Sequence, residues 1–325
     1  MKGVQFAAYG NPAKVLECVD MPEPSGPSAG QALVAVEFAP VNPNDLMIPR
    51  GIYASRPPLP ALMGNEGVAR VLVVGKGVTN VAVGDKVALP VGSKTWREKL
   101  LVDAAQLFPL PKAADSKQLA MLSANPPTAS LLLTEFVALR SGEWVIQNAA
   151  NSGVGRWVIA FAKRRGFRTI NVVRRSELIS ELKLLGGDLV VVDGDNLVQE
   201  IQKELGDSEL KLGLDGVGGA ASGRLAAAMS PHATITVYAA MSEEAMAISP
   251  LDVIFKPLAL RGFWLGHPEF GSKAGPAMRE AAEMIATKEV SVPIARVYPL
   301  REVQQAAAHA AKGGKVLLEI AQAQA

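Results

Sequence analysis

Hydrophobic and polar positions follow two rhythms along this chain. Up to about residue 120, apolar residues come in short runs broken by Gly and Pro. Residues 1–6, 15–20, 31–38, 67–74, 85–89 and 96–102 read as strands separated by turns, the pattern of a small irregular β domain. Pro22, Pro24 and Pro27 mark an extended edge or loop, because proline cannot donate to a sheet ladder. Beyond that point strand-length apolar runs alternate with helix-length amphipathic ones. The strands are 144–147, 168–173, 188–192, 211–215, 234–238 and 258–264, with helices predicted at 156–165, 176–185, 197–205 and 220–229.

Strands alternating with helices imply a parallel sheet covered on both faces. Six strands are the number in a complete dinucleotide-binding sheet. A further helix is expected at 274–287, and the tail reads strand 294–298, helix 302–311, strand 315–320, returning to the first domain. The expected fold is therefore α/β, a doubly wound Rossmann-type parallel sheet plus a β-rich domain. The expected division is 1–121, 122–288 and 289–325, the last segment belonging with the first.

Composition narrows the function. The 325 residues are enough for two domains, and 49% hydrophobic with only 5% aromatic content suits α/β layers. The net charge of +2 is dispersed, without the basic run that nucleic acid would require. Cys18 is the only cysteine, which excludes an internal disulfide and a cysteine-based zinc cluster. The first residues read as a strand and not a signal peptide, and no uncharged apolar stretch reaches about eighteen residues. A soluble, cytoplasmic enzyme with no membrane partner is the expectation.

The run Gln147-Asn148-Ala149-Ala150-Asn151-Ser152-Gly153-Val154-Gly155 joins the first of the six strands to its helix. A tight turn of small residues there can aim backbone N–H groups at a pyrophosphate. Asn151, Ser152, Gly153, Val154 and Gly155 are the candidate contacts; the plain alternative is an ordinary strand-to-helix turn. About twenty residues on, where an acid would bind a free ribose hydroxyl, stand Arg174 and Arg175. A guanidinium grips phosphate in a bidentate way, so the pair points to a 2′-phosphate and to NADPH, against a solvated charge pair as the alternative. Asp215-Gly216-Val217-Gly218-Gly219 and Tyr238-Ala239-Ala240-Met241 end the fourth and fifth strands. Val217, Tyr238 and Met241 are cofactor candidates on that ground, with simple turn chemistry as the alternative.

Several segments together resemble the medium-chain dehydrogenase/reductase superfamily, within it the zinc-independent 2-enoyl thioester reductases. They are Asn42-Pro43-Asn44-Asp45, Gly51-Ile52-Tyr53, Gly64-Asn65-Glu66-Gly67-Val68, Thr95-Trp96, Asn125-Pro126-Pro127-Thr128-Ala129, the 147–155 run, 171–174 and Gly262-Phe263-Trp264-Leu265. The resemblance implies a GroES-like catalytic domain, a Rossmann-type cofactor domain and a homodimer through the edge strand 258–264. It implies Tyr53 as the proton donor, or the holder of the enolate oxygen and a water. Asn44 would position substrate or nicotinamide, Trp96 and Thr128 would line the substrate pocket, and Phe263, Trp264 and Lys315 would lie near the cofactor. The alternatives are a loop aromatic for Tyr53, a turn residue for Asn44, dimer core for Trp264 and a plain helix-end lysine for Lys315.

Zinc-dependent relatives use Cys and His in the catalytic domain, where this chain carries Asn42 and Asn65-Glu66, and His232, His267 and His309 are scattered. No zinc is expected. The implied reaction is NADPH-dependent reduction of the C=C of an acyl thioester carried on CoA or acyl carrier protein, with a hydride to the β-carbon and a proton to the α-carbon. An NADPH:quinone or enone oxidoreductase and a non-catalytic NADPH-binding protein are the alternatives.

Overall fold

The computed structural model describes residues 1–320. The chain forms two compact units, one of residues 1–124 with 278 onward and one of residues 125–277, the boundary falling inside the helix Ala274–Ala286.

In the first unit Gln31–Val41 is the organising strand. It pairs antiparallel with Val68–Val74, Lys99–Asp103 and the tail strand Lys315–Glu319, whose parallel neighbour is Ile294–Pro299. Lys86–Ala88 and Phe108–Pro109 extend the sheet, and Leu16–Asp20, Lys2–Phe6 and Ala61–Leu62 form a second, three-stranded sheet. The alternating burial of Gln31–Val41 sends Ala32, Val34 and Val36 into a core shared with Phe6, Leu16 and Leu100. The strand predicted at 15–20 begins one residue late. Asn11 accepts a hydrogen bond from the Ala13 amide at 3.0 Å and starts a short helix, Pro12–Val15.

The second unit carries six parallel strands in the order third, second, first, fourth, fifth, sixth: Leu189–Val192, Arg168–Val173, Trp144–Gln147, Leu210–Asp215, Thr234–Val237 and Ala259–Gly262. The order reverses between the first strand, all four residues of which are buried, and the fourth. A ligand crevice forms at such a point, outside the carboxyl ends of the strands. Trp157 and Phe161, one helical turn apart on Gly153–Arg164, stack at 5.3 Å and are both buried. The helix Asn125–Thr134 was not expected from its Asn-Pro-Pro start, yet prolines fit a first helical turn, where amide hydrogens have no partner in any case.

Candidate active site

The strand-to-helix turn is built by its own side chains. Ala149 takes a left-handed φ of 49°, and the Ser152 hydroxyl caps the helix by accepting from the Gly155 amide at 3.1 Å. A Cβ on Gly155 would lie 2.5 Å from the Ala150 carbonyl oxygen and 2.7 Å from that of Ala149, so only glycine allows this close a turn. Gln147 spans the strand end, donating to the Gly155 carbonyl at 2.9 Å and to Asn171 Oδ1 at 2.8 Å.

A second set of bonds shapes the neighbouring loop. Buried Asp215 accepts from Asn148 Nδ2 at 2.7 Å, from the Val217 and Gly218 amides at 2.9 and 3.0 Å, and from the Ser222 hydroxyl. Asn148 Oδ1 accepts from the Gly216 amide at 2.7 Å, which locks the loop to the turn. Asn148 and Asp215 are functional in this sense, and neither was singled out from the sequence. An acid closing an otherwise apolar strand before Gly-Val-Gly-Gly was the available signal.

The turn fits a dinucleotide. Buried Asn125 Nδ2, directly against Gly153, has no hydrogen-bond partner, and neither has the buried Tyr238 hydroxyl beside Gly216. Burial raises the Tyr238 pKa, an effect that Ser152 partly offsets without meeting hydrogen-bond geometry. Unpaired polar atoms of this kind are costly unless a ligand or water answers them. Arg174 and Arg175 are exposed just past the second strand, and neither guanidinium is bonded to another described residue. Asn151 and Met241 are exposed, and Val154 and Val217 half-buried. At the carboxyl ends of the fifth and sixth strands, a cavity of about 440 Å³ is lined by Phe136, Val237, Arg261, Phe263, Trp264 and Phe270. Trp264 is 49% exposed, whereas Phe263 is buried and packs its ring 4.8 Å from that of Phe270. Thr128 is half-buried on the helix Asn125–Thr134.

In the first unit, the helix Pro43–Arg50 carries half-buried Asn44 and ends at Gly51, whose left-handed φ of 71° turns the chain toward half-buried Tyr53. At its start Asn42 donates Nδ2 to Glu66 Oε1 at 2.8 Å, accepts on Oδ1 from Lys315 Nζ at 2.7 Å, and donates its backbone amide to Asp45 Oδ2 at 2.9 Å. Burial raises both carboxyl pKa values, that of Asp45 to about 7. Burial lowers that of the Lys315 ammonium, with Glu66 and Asp45 opposing the fall. Trp96 requires a correction. It is fully buried in the core of this unit and spends its indole N–H on the Pro40 carbonyl at 3.2 Å, so it is a core residue and not a pocket wall.

Two family models match: an alcohol dehydrogenase GroES-like domain over residues 28–112 and a zinc-binding dehydrogenase over residues 153–287. A mitochondrial enoyl-[acyl-carrier-protein] reductase of Caenorhabditis elegans is 38% identical over 81% of this chain and 76% of its own length. The chain belongs to the medium-chain dehydrogenase/reductase superfamily, in its enoyl reductase group. The structure of Etr1p with NADP and crotonyl-CoA superimposes with a TM-score of 0.89 at 26% identity, covering 98% of this chain and 99% of that one. A Bacillus thuringiensis protein described as a putative NADPH:quinone reductase superimposes at 0.88, also with 26% identity, covering 98% of this chain and 99% of that one.

As a medium-chain dehydrogenase/reductase the chain is an oxidoreductase with a GroES-like and a Rossmann-type part. The description of the second matching model includes zinc, and the donors present do not suit that metal. Zinc is held by thiolate, imidazole or free carboxylate. Here Asn42 Oδ1 is bound to a lysine ammonium, and both oxygens of Glu66 are occupied by Asn42 and by the Ala124 amide at 2.9 Å. Among the described residues, no three His, Cys, Asp or Glu side chains converge on a common point, and no helix is long and apolar enough to cross a membrane.

Proposed function

We propose that this chain reduces the C=C of trans-2-enoyl thioesters with NADPH. What carries the reading is the full-length likeness to a protein whose complex contains NADP and crotonyl-CoA, on a chain whose own turn fits a dinucleotide. When bound, NADPH supplies the hydride that adds to the β-carbon. The Gly153 and Val154 amides, left over after Ser152 and Gly155 bond within the turn, hold its pyrophosphate, and Arg174 and Arg175 grip the 2′-phosphate that separates it from NADH. As negative charge develops on the thioester oxygen, hydrogen-bond donors stabilise it, and Asn44 positions the acyl group. Tyr53 delivers the proton that the α-carbon needs.

The carrier is CoA or acyl carrier protein: relatives are named for the second and a solved complex contains the first. We also infer a homodimer through Ala259–Gly262. Every residue of this edge strand is exposed, Leu260 by 43%, and so are Ile254 and Phe255, by 64% and 75%, at the end of the helix that precedes it in the chain. An apolar edge of this kind is covered in native proteins. Sedimentation showing only monomer would overturn that inference.

The likeness to the putative quinone reductase supports a second reading, reduction of quinones or enones. NADPH oxidation followed at 340 nm with crotonyl-CoA, a longer enoyl-CoA and a small quinone tests both. Turnover of thioesters is the expected result, and turnover of the quinone alone moves the chain to the second reading.

A further inference from the structure

The segment that carries Tyr53 has no regular structure to hold it. Residues 52–58 belong to no helix or strand, so their course is set by what they pack against. Tyr9 touches this segment on both sides of Tyr53. Before it, the ring edge of Tyr9 lies directly against Gly51, where a Cβ would stand only 3.3 Å from Cδ1. The next residue, Gly10, donates its amide to the Pro49 carbonyl at 2.8 Å. Beyond Tyr53, the Arg56 guanidinium sits over the Tyr9 ring at 4.4 Å, and the Tyr9 hydroxyl donates to the Pro57 carbonyl at 2.5 Å. The anchor behind these contacts is firm. Tyr9 packs edge-on against Phe6, the ring centroids 5.5 Å apart. Phe6 is fully buried in the strand Lys2–Phe6, which pairs on one side with Leu16–Asp20 and on the other with Ala61–Leu62.

One aromatic side chain thus fastens the loop 51–57 at both ends. A phenylalanine would fill the same space against Phe6 and Gly51, so the hydroxyl serves the loop through its bond to Pro57. A proton donor works only within hydrogen-bond reach of the atom it serves, and a displacement of about 1 Å can cost ~100-fold in rate. We propose that Tyr9 is a positioning residue: by holding Gly51, Arg56 and Pro57 it fixes the place of Tyr53. The role rests on the assignment of Tyr53 as the proton donor. Tyr9 acts on the reaction through the loop, without itself being the proton source.

The test is a double-mutant cycle of Tyr9→Phe and Tyr53→Phe, with Tyr9→Leu alongside. Wild type is assayed first with crotonyl-CoA and with a quinone, and all variants are then compared on whichever acceptor wild type reduces. Wild type inert toward crotonyl-CoA thus overturns the substrate reading and leaves the positioning test intact. Tyr9→Phe deletes only the bond to Pro57 and should lower kcat by about tenfold, with the Kd for NADPH unchanged. Tyr9→Leu removes the ring from Gly51 and Arg56 as well and should cost more. In the Tyr53→Phe background Tyr9→Phe should cost nothing further, because the group it positions is already gone. The same loss in both backgrounds overturns the proposal and makes Tyr9 a residue of the fold alone. Wild-type kcat in Tyr9→Phe overturns it too, so a failure of Tyr9→Leu to fold leaves the milder variant to decide. Full turnover in Tyr53→Phe marks the separate failure of the donor assignment, and this role falls with it. Crystal structures of wild type and the Tyr9 variants address the same point without turnover: a displaced segment 51–57 supports the role, and superimposable segments refute it.

Discussion

Gly155→Ala should damage cofactor binding and folding together, for a reason measurable in the turn. The added methyl would sit 2.5 Å from the Ala150 oxygen and 2.7 Å from the Ala149 oxygen. Carbon and oxygen approach to about 3.3 Å without penalty. The helix start must therefore retreat by roughly 0.6–0.8 Å, because both obstacles are backbone. Overpacking of this kind costs about 1–3 kcal/mol of stability. The same retreat lengthens a hydrogen bond of about 2.9 Å beyond its useful range. Losing one bond to a charged phosphate is worth about 1.5–3 kcal/mol, or roughly 10- to 100-fold in affinity for NADPH. Gly153→Ala is the control. Its methyl would meet Asn125 Nδ2 at 2.6 Å, the end of a side chain that can swing away. It should cost less than about 1 kcal/mol, since alanine also favours the helix. Urea melts and NADPH titration by fluorescence check both variants. Wild-type stability and affinity in Gly155→Ala would refute the steric argument, as would equal losses of stability in the two.

Arg174→Ala should weaken NADPH by about 10- to 100-fold and leave NADH affinity unchanged, since one charge-assisted contact is removed; an unaltered preference between the two in titration refutes the 2′-phosphate assignment. Tyr53→Phe should cut kcat by about 100- to 10,000-fold at constant NADPH affinity, and full turnover in the variant shows that another group carries the proton. Asp45→Asn should change stability in a pH-dependent way. Burial raises the Asp45 pKa from the ordinary 3.8 to about 7, so the unfolded chain ionises first and wild type loses stability as pH rises across that window. The variant does not titrate there, so its Tm relative to wild type should climb from about pH 4 to about 7 and then level off. A Tm difference independent of pH in calorimetry counts against the cause given for the shift.

The parallel sheet was legible to the residue at Trp144–Gln147 and Arg168–Val173, because a strand buried on both faces reads as an unbroken apolar run between polar turns. The turn after the first strand was legible for a local reason, since its backbone comes from one stretch of nine residues, whereas Asn171 and Asp215, which brace it, lie elsewhere in the sequence. Trp96 was misread because its motif position says nothing of direction, and the structure turns its ring inward, where the Pro40 carbonyl satisfies the indole. The Asn125–Thr134 helix was obscured by prolines that sit harmlessly in its first turn.

The cluster around Asn42 is illegible for a deeper reason. Asn42 and Glu66 lie 24 residues apart, and Asn42 and Lys315 lie 273 apart. No local pattern links them, and each alone reads as a capping or surface residue. Only the pairing of the tail with Gln31–Val41 brings the ammonium to the amide, and a slip of one residue would turn Lys315 to the opposite face. The tail of the chain thus meets the start of the helix that leads to Tyr53. A substitution in the tail that slips this register should therefore disturb Tyr53 before it disturbs the cofactor turn, whose hydrogen bonds all lie within residues 125–277.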